Sequence, residues 1–300
     1  MPENSLKINP IREMKVKSAL HYHETEMPCH HDVNVYRGCS HGCRYCFARY
    51  SHTYLETDDF FGELFVKSNV AEVLDRELSR KSWKKQRINL SGVTDAYQPA
   101  EAVRKIMPGV LKVLIRHRNP VVITTKSSLL LRDIELFRQL AGLASVCVNA
   151  TVTIMDESLR SITEPGASPA TERFRILREC REAGCHTNVL LTPVLPHLND
   201  SPENLEEICR LSAENEVQGI SAWPLHLRGS TRKHFFAFLK ENFPGLLPVY
   251  EQLYQGPNVE VAYSEELQRK MGGLKAKYKL KSIHLPEIGR PAETIQLTLF

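Results

Sequence analysis

The sequence lacks the features that would place it outside ordinary globular proteins. No apolar run approaches the ~18 residues needed to span a bilayer, and residues 1–20 contain no apolar segment of a secretory signal. Neither sign of charge is in large excess, since the net charge is +4 and the pI about 8.6. Hydrophobic residues make up 42% and charged residues 25%, which excludes a disordered, collagen-like or coiled-coil chain. We therefore expect a cytoplasmic protein without membrane contact, whose charge permits a nucleic-acid partner without requiring one.

The cysteines are unevenly distributed. In a cytoplasmic protein the eight thiols should be reduced, and three of them, Cys39, Cys43 and Cys46, fall within eight residues in the pattern CxxxCxxC. Downstream there is no second CxxC or HxxxH pair of the kind that normally completes a structural zinc site. Three thiolates leave one metal position open, and in a four-iron cluster an open iron can bind a substrate or cofactor. The alternative is a zinc knuckle completed by His41 or His30.

Strand and helix patterns alternate through most of the chain. Short β-branched segments predict six strands, at Asp32–Arg37, Arg87–Gly92, Val121–Thr125, Val146–Thr153, His186–Pro193 and Gly219–Pro224. Helical patterns follow at Asn69–Arg80, Glu101–Arg118, Arg132–Leu143, Pro169–Ala183, Ser201–Asn215 and Arg232–Asn242. Pro108 should kink or split the second of these helices. Six βα units in series predict an α/β protein with a parallel sheet, in the form of a partial, open (β/α)6 TIM-type barrel. Its chemistry should lie at the C-terminal ends of the strands.

The alternation fades after residue 245, where residues 269–282 form a basic, glycine-containing stretch. We therefore predict an N-terminal extension over residues 1–31, the barrel over 32–245, and a C-terminal extension and tail over 246–300.

The cysteine motif, with an aromatic residue (Tyr45) directly before its last cysteine, resembles that of the radical S-adenosylmethionine (SAM) superfamily. The resemblance makes Tyr45 a candidate cofactor-binding residue. Residues 32–245 resemble one subgroup more closely, the spore photoproduct lyase-like or DNA repair photolyase-like proteins. The segments that carry the resemblance are 34–49 (NVYRGCSHGCRYCFAR), 66–69 (VKSN), 94–101 (TDAYQPAE), 125–127 (TKS), 132–133 (RD), 164–166 (EPG), 193–196 (PVLP) and 199–200 (ND).

The resemblance implies a cofactor set and a reaction. Cys39, Cys43 and Cys46 would hold one four-iron four-sulfur cluster (4Fe-4S), and SAM would bind the fourth iron. Reductive cleavage of SAM would then give methionine and a 5′-deoxyadenosyl radical that abstracts a substrate hydrogen. This chemistry needs an electron donor such as flavodoxin or ferredoxin.

Polar residues at three further strand ends are candidates for binding SAM. In the superfamily the amino group of SAM is held at the end of the second strand, where this chain has Ser91 and Gly92 in place of a Gly-Gly-Glu segment. Lys126 and Ser127 end the third strand and suit the SAM carboxylate, while Thr151 on the fourth suits the carboxylate or the ribose. Each of these residues alone is equally explained as a solvated strand-end side chain.

One departure from the lyase subgroup concerns the last step of the reaction. The lyase returns a hydrogen atom to its product radical from a cysteine just after the second strand, and Leu90–Glu101 contains no cysteine. Tyr97 is an alternative hydrogen-atom donor.

The sequence does not name the substrate. The resemblance and two basic stretches with aromatics, Lys81–Arg87 and Arg269–Lys281, favour nucleic acid, as in DNA lesion repair. A peptide or small-molecule substrate, or a non-enzymatic module that binds zinc and nucleic acid, are the alternatives.

The chain ends in an apolar pentapeptide after a proline- and glycine-punctuated stretch. Gln296, Leu297, Leu299 and Phe300 resemble the motif by which bacterial replication and repair proteins dock on the sliding clamp. Alternatively, this end folds back and fills a gap in the open barrel. The sequence leaves both interpretations open.

Overall fold

The fold comes from a computed structural model, which describes residues 11–24, 29–55, 57 and 59–288. The strands are β1 Arg12–Met14, β2 His21–Tyr22, β3 His31–Val33, β4 Tyr36–Arg37, β5 Phe65–Lys67, β6 Ile88–Leu90, β7 Val121–Thr125, β8 Val146–Thr151, β9 His186–Val194 and β10 Gly219–Pro224. The α-helices are α1 Val70–Leu78, α2 Ala100–Arg104, α3 Met107–His117, α4 Ile134–Ala141, α5 Glu157–Thr163, α6 Ala170–Glu182, α7 Pro202–Glu214, α8 Ser230–Asn242, α9 Leu247–Leu253 and α10 Val261–Lys277. Three 3-10 helices span Phe47–Leu55, Ser128–Asp133 and Pro244–Leu246.

The main sheet has seven strands in the order β10-β9-β8-β7-β6-β3-β2. The six adjacent strands from β3 to β10 run parallel to one another, and β2 adds an antiparallel strand at one edge. The edge strands β10 and β2 do not pair among the described residues, so the sheet stays open. This confirms the predicted α/β fold with a partial, open barrel of six parallel strands. Apolar side chains between the sheet and the surrounding helices form its core.

The predicted first strand is two strands in different sheets. β3 belongs to the main sheet, whereas β4 pairs with β5 in a second sheet of order β1-β5-β4. The change occurs at Asn34, whose side-chain oxygen accepts a bond from the Val93 backbone N–H at 3.0 Å. A side chain that binds the next loop replaces continued strand pairing there, which a pattern of apolar residues does not reveal.

The predicted helix ends vary in accuracy. α7 begins where expected, with the Ser201 hydroxyl accepting from the Asn204 N–H at 3.2 Å, and α6 ends before Gly184, whose φ is +87°. The helix predicted over Glu101–Arg118 is split into α2 and α3, as expected near Pro108; the break falls at Lys105 (φ +50°), and Pro108 lies in the first turn of α3. A proline is tolerated there because the first turn leaves its backbone N–H groups unpaired in any case.

Two helices, α9 and α10, lie beyond residue 245, where the sequence predicted none. α10 continues through Gly272 and Gly273, which lower helix propensity. Burial of Leu267 and Met271 in the core around β10 and α7 favours the helix despite the glycines. The boundaries of the extensions at residues 31 and 245 stay predictions.

A segment after α10 crosses the N-terminal ends of the parallel strands. The Ile220 N–H, near the start of β10, donates to the Lys281 carbonyl at 2.9 Å. At the other end of the segment, the Arg87 guanidinium before β6 donates to the Pro286 carbonyl. Residues 281–286 therefore cover the end of the barrel opposite to the cysteine motif. The apolar pentapeptide Gln296–Phe300 lies outside the described residues.

The described part of the chain contains no helix long and apolar enough to cross a membrane.

Candidate active site

The cysteine motif forms a loop after β4, and neighbouring backbone holds it on several sides. The Cys39 N–H donates to the Phe60 carbonyl at 3.2 Å, and the Arg44 N–H to the Thr163 carbonyl at 2.9 Å. Gly38 has a φ of +79°, and a Cβ there would lie 2.7 Å from the Glu63 carbonyl oxygen. Only glycine fits at that position, so the chain can turn into the motif close beside the segment Phe60–Glu63.

The segment after β6 supports the same loop through side chains. The Gln98 side-chain oxygen accepts from the Ser40 N–H at 2.8 Å, and its amide donates to the Gly38 carbonyl at 3.1 Å. The Thr94 hydroxyl donates to the same carbonyl at 2.7 Å. Gln98 and Thr94 lie in the family-like segment TDAYQPAE, but nothing in their residue types predicted that they would hold the loop.

The three thiols of the motif share one enclosed site. Burial, together with another cysteine of the motif, raises the pKa of Cys39 and of Cys43 to about 12 and that of Cys46 to about 11. Backbone N–H groups partly offset this increase, those of Asp95 and His41 at the Cys39 sulfur and that of Ala48 at Cys46. Iron–sulfur clusters are held by cysteine thiolates whose sulfurs accept such hydrogen bonds, so this donor set fits a cluster.

A zinc ion and a cluster place different demands on the thiols. A zinc ion needs all of its sulfur ligands about 2.3 Å from one point, whereas the thiolates of a 4Fe-4S cluster bind different irons. In residues 11–24, 29–55, 57 and 59–288, no group of three or more His, Cys, Asp or Glu side chains is arranged to hold one metal ion. The zinc knuckle completed by His41 or His30 stays an alternative prediction.

A buried carboxylate, Glu164, lies next to the motif. It accepts hydrogen bonds from the Tyr45 hydroxyl and the Arg173 guanidinium, and from the Thr153 hydroxyl at 3.1 Å. Burial alone would raise the pKa of Glu164, but Arg173, Lys126 and Tyr45 together lower it to about 2. Tyr45 is a predicted cofactor-binding residue, and in the structure its hydroxyl is bonded to this carboxylate. Glu164 was visible in the sequence only as part of the EPG segment.

A second carboxylate, Asp95, links the motif to the end of β7. It accepts from the Thr125 hydroxyl at 2.9 Å and from the Lys126 N–H at 2.8 Å. It also accepts from the Tyr97 N–H at 2.9 Å and contacts His41 Nδ1 at 3.4 Å. His41 Nε2 is buried without a hydrogen-bond partner among the described residues. Asp95 thus fixes the end of a strand against the cysteine loop.

The predicted SAM-binding residues Lys126, Ser127 and Thr151 all lie at the C-terminal ends of β7 and β8. The Lys126 ammonium is 5.7 Å from the centre of the Tyr45 ring. Burial lowers the pKa of Lys126, but the negative charges of Cys43 and Glu164 produce a net increase. The Ser127 hydroxyl accepts from the Leu129 N–H at 3.3 Å, at the start of a 3-10 helix. The Thr151 side chain is buried, and its carbonyl accepts from Arg173 at 2.8 Å.

Ser91 and Gly92 follow the end of β6, as predicted, and have structural contacts of their own. Ser91 has a φ of +105°, and its hydroxyl accepts from the Ala96 N–H at 3.1 Å. A Cβ on Gly92 would lie 2.1 Å from the Asp32 carboxylate. A side chain at position 92 would therefore displace the Asp32 carboxylate of β3, whether or not a ligand binds there.

Tyr97 lies behind the motif rather than at the open end of the barrel. It has no exposed surface, and its hydroxyl donates to Asp133 at 3.0 Å. Its ring packs near Phe137 and the Arg132 guanidinium. A hydrogen-atom donor must reach the substrate, so these contacts assign Tyr97 a supporting position.

The two basic stretches lie away from the site. Lys81–Arg87 precedes β6 at the N-terminal end of the strands, where the Trp83 indole N–H donates to the Asn119 side chain at 2.7 Å. Arg269–Lys281 belongs to α10 and the segment after it, and Lys277 and Tyr278 there bind Glu206. Neither stretch faces the cysteine motif.

With this site at the C-terminal ends of a partial barrel, the chain belongs to the radical SAM superfamily, whose family model matches residues 33–211. The protein is a radical SAM enzyme. An uncharacterized protein of Mycobacterium tuberculosis is 38% identical over 300 residues, which covers 96% of this chain and 87% of that protein. An uncharacterized protein of Methanocaldococcus jannaschii is 28% identical over 191 residues, or 63% of this chain and 70% of that one.

Solved structures of spore photoproduct lyase have a similar fold. One, complexed with dinucleoside spore photoproduct, aligns with a TM-score of 0.65 at 13% identity and covers 88% of this chain and 78% of that one. Another, a variant with bound SAM and dinucleoside spore photoproduct, aligns with a TM-score of 0.62 at 12% identity and covers 86% and 76%. At this identity the likeness concerns the fold.

Proposed function

We propose that this enzyme uses one 4Fe-4S cluster and SAM to start radical chemistry on nucleic acid, in a reaction of the DNA lesion repair type. Cys39, Cys43 and Cys46 are the cluster ligands. When bound, the reduced cluster and SAM supply one-electron cleavage of the sulfonium C–S bond, which yields methionine and a 5′-deoxyadenosyl radical. The observation that carries the proposal is the placement of the CxxxCxxC loop, with Cys39 and Cys43 buried and Cys46 half-buried, beside the C-terminal ends of the strands.

The residues around the motif suit the binding of SAM in an enclosed site. Lys126 pairs with the SAM carboxylate, and backbone carbonyls near Ser91 and Gly92 accept from its amino group. Ser127 and Thr151 provide hydroxyl groups at the neighbouring strand ends. The buried pair of Glu164 and Arg173 fixes Tyr45, and Asp95 fixes the backbone of Lys126, so this chain holds the SAM side of the site rigid before the ligand binds.

Nucleic acid is the substrate class that the observations support best. Segments of this chain resemble the spore photoproduct lyase-like subgroup, whose reaction is DNA repair. The fold is also similar to that of spore photoproduct lyase. The final hydrogen-atom transfer must differ, because residues 90–101 contain no cysteine and Tyr97 is buried. We therefore propose related radical chemistry on a nucleic-acid lesion, with another source of the returned hydrogen atom.

The test is anaerobic reconstitution of the full chain followed by metal analysis and turnover. We expect about four irons and four acid-labile sulfides per chain, against the single zinc of a structural knuckle. With a reductant, or with flavodoxin or ferredoxin as electron donor, SAM should give 5′-deoxyadenosine. Ultraviolet-irradiated DNA should increase its yield and lose lesions in step, whereas unirradiated DNA of the same sequence should do neither. SAM cleavage that responds to a peptide or small molecule but not to DNA would overturn the substrate assignment.

A further inference from the structure

Two aromatic side chains are exposed near the cysteine motif. Trp223, the second-last residue of strand β10, is 57% exposed. Phe47, which directly follows Cys46, is 58% exposed. Just beyond Trp223, the side chain of Leu225 packs in the same apolar cluster as Cys43. Helix α8, which follows β10, packs against the 3-10 helix that begins at Phe47. Both rings therefore lie at the same end of the barrel as the motif.

Exposed positive charge accompanies these rings. Between Gly219 and Lys240 the sequence contains four Lys or Arg residues and no Asp or Glu. Arg228 and Lys233 are exposed and form no ion pair with any described residue. We call Phe47, Trp223, Arg228 and Lys233 the mouth surface.

Helix α10 provides a contrast, because it is also basic but its charges are neutralised. Arg269 and Lys270 both pair with Glu266, and Lys277 pairs with Glu206. Paired surface cations attract polyanions less than unpaired ones do. The unbalanced charge of the mouth surface, and not the basic composition of α10, therefore indicates where a polyanion would bind.

We propose that the mouth surface binds an unpaired strand of nucleic acid, with bases stacked on Trp223 and Phe47 and phosphates paired with Arg228 and Lys233. Every base has a π-face that stacks on aromatic rings, and cations track the backbone. An enzyme that reacts at a base in duplex DNA must take that base out of the stack, so an unpaired strand beside the motif is the form that can reach it. The inference rests on the proposed function, because it names the residues that hold that reaction's substrate.

The first experiment measures tryptophan emission of the reconstituted holoenzyme, without reductant, during titration with a single-stranded thymidine 15-mer. The chain has two tryptophans, and Trp83 is hydrogen-bonded to Asn119 at the far end of the barrel. We expect quenching in the wild type and its loss in Trp223→Ala, with about tenfold weaker binding by fluorescence anisotropy. Tyr22→Ala, which removes an aromatic side chain that is 63% exposed on β2, should change neither. Equal weakening by both variants would overturn the proposal.

The second experiment compares two double variants that remove the same charge. Arg228→Ala/Lys233→Ala should reduce the slope of log affinity against log salt by about 1.4, since each phosphate contact on a single strand contributes about 0.7. Arg269→Ala/Lys270→Ala should leave the slope unchanged. Equal losses, tighter binding of the matching duplex, or equal binding of polyglutamate would each show a general electrostatic effect and overturn the proposal.

SAM cleavage, measured with dithionite on the same preparations, separates the two proposals. Cleavage without strand binding would leave the radical chemistry standing and overturn the mouth surface. Strand binding that depends on Trp223, in a protein that does not cleave SAM, would support the mouth surface and overturn the proposed radical chemistry.

Discussion

The two ends of the parallel strands are held together by different kinds of contact. At the C-terminal ends, carboxyl groups such as those of Glu164 and Asp95 have several hydrogen-bond partners each and lie beside the cysteine motif. At the N-terminal ends, the segment 281–286 covers the barrel, and the rings of His186 and His284 meet edge to face with centres 4.6 Å apart. One scaffold thus has a preorganised polar end for chemistry and an end closed mainly by packing.

The largest difference is expected between thiols at the two ends. Cys43→Ala should prevent assembly of the full cluster and reduce SAM cleavage by more than ~100-fold, because a ligand is lost and not only its support. Cys180→Ala removes an equally buried thiol from α6 and should keep both the cluster and the activity. The measurements are iron and sulfide content, the visible spectrum and 5′-deoxyadenosine formation. A Cys43→Ala protein with a full cluster and SAM cleavage would contradict the ligand assignment.

Breaking the buried ion pair at the polar end should cost more stability than breaking an exposed one. Glu164→Gln leaves the fully buried Arg173 without its counter-charge, and we expect a loss of about 3–5 kcal/mol in the free energy of unfolding. Glu157→Gln, at the more exposed pair with Arg160, should cost less than ~1 kcal/mol. Urea unfolding of the two anaerobic apo variants measures both. Similar losses of unfolding free energy in the two variants would show that the buried pair of Glu164 and Arg173 stabilises the fold no more than the more exposed pair does.

The closed end should make stability depend on pH through His186. Burial and the nearby His284 lower the pKa of His186 to about 4, below the ~6.5 of an unfolded histidine. The unfolded chain therefore binds this proton first as the pH falls, and stability should decrease by about 1–3 kcal/mol between pH 6.5 and 4. His186→Gln should flatten that part of the profile, whereas His21→Gln, on the exposed strand β2, should not. An unchanged slope in His186→Gln would show that other groups control acid sensitivity.

The smallest effect on the barrel is expected at the C-terminal pentapeptide. We propose that Gln296–Phe300 binds the host's sliding clamp, so its deletion should abolish clamp binding and leave SAM cleavage and stability unchanged. Calorimetric titration of the clamp with the full chain and the shortened chain measures this. A full-length Gln296→Ala/Phe300→Ala variant is the control for chain length. Equal binding by full and shortened chains, or none by either, would remove the proposal.

Much of the barrel could be predicted from local patterns. Five of the six predicted main-sheet strands lie close to their predicted places, because β-branched runs bounded by turn residues are a local signal. The prediction of one continuous first strand was wrong, because the chain leaves the main sheet at Asn34, whose side chain bonds to the Val93 N–H. Helix α10 was not predicted, because burial of Leu267 and Met271 outweighs the low helix propensity of two glycines, and burial is not a local signal.

The sequence by itself determined the superfamily motif, the order of strands and helices, and therefore the end of the barrel at which chemistry occurs. The tertiary structure alone decided which polar groups meet there. Glu164 directly follows α5 and pairs with Arg173 near the start of α6, and Asp95 reaches His41 across 54 positions of sequence. It also decided that Lys81–Arg87 lies at the wrong end of the barrel and that Trp223 is exposed at the right one. A residue's type and neighbours in sequence report its backbone preference, but burial and charge pairing depend on contacts between distant segments.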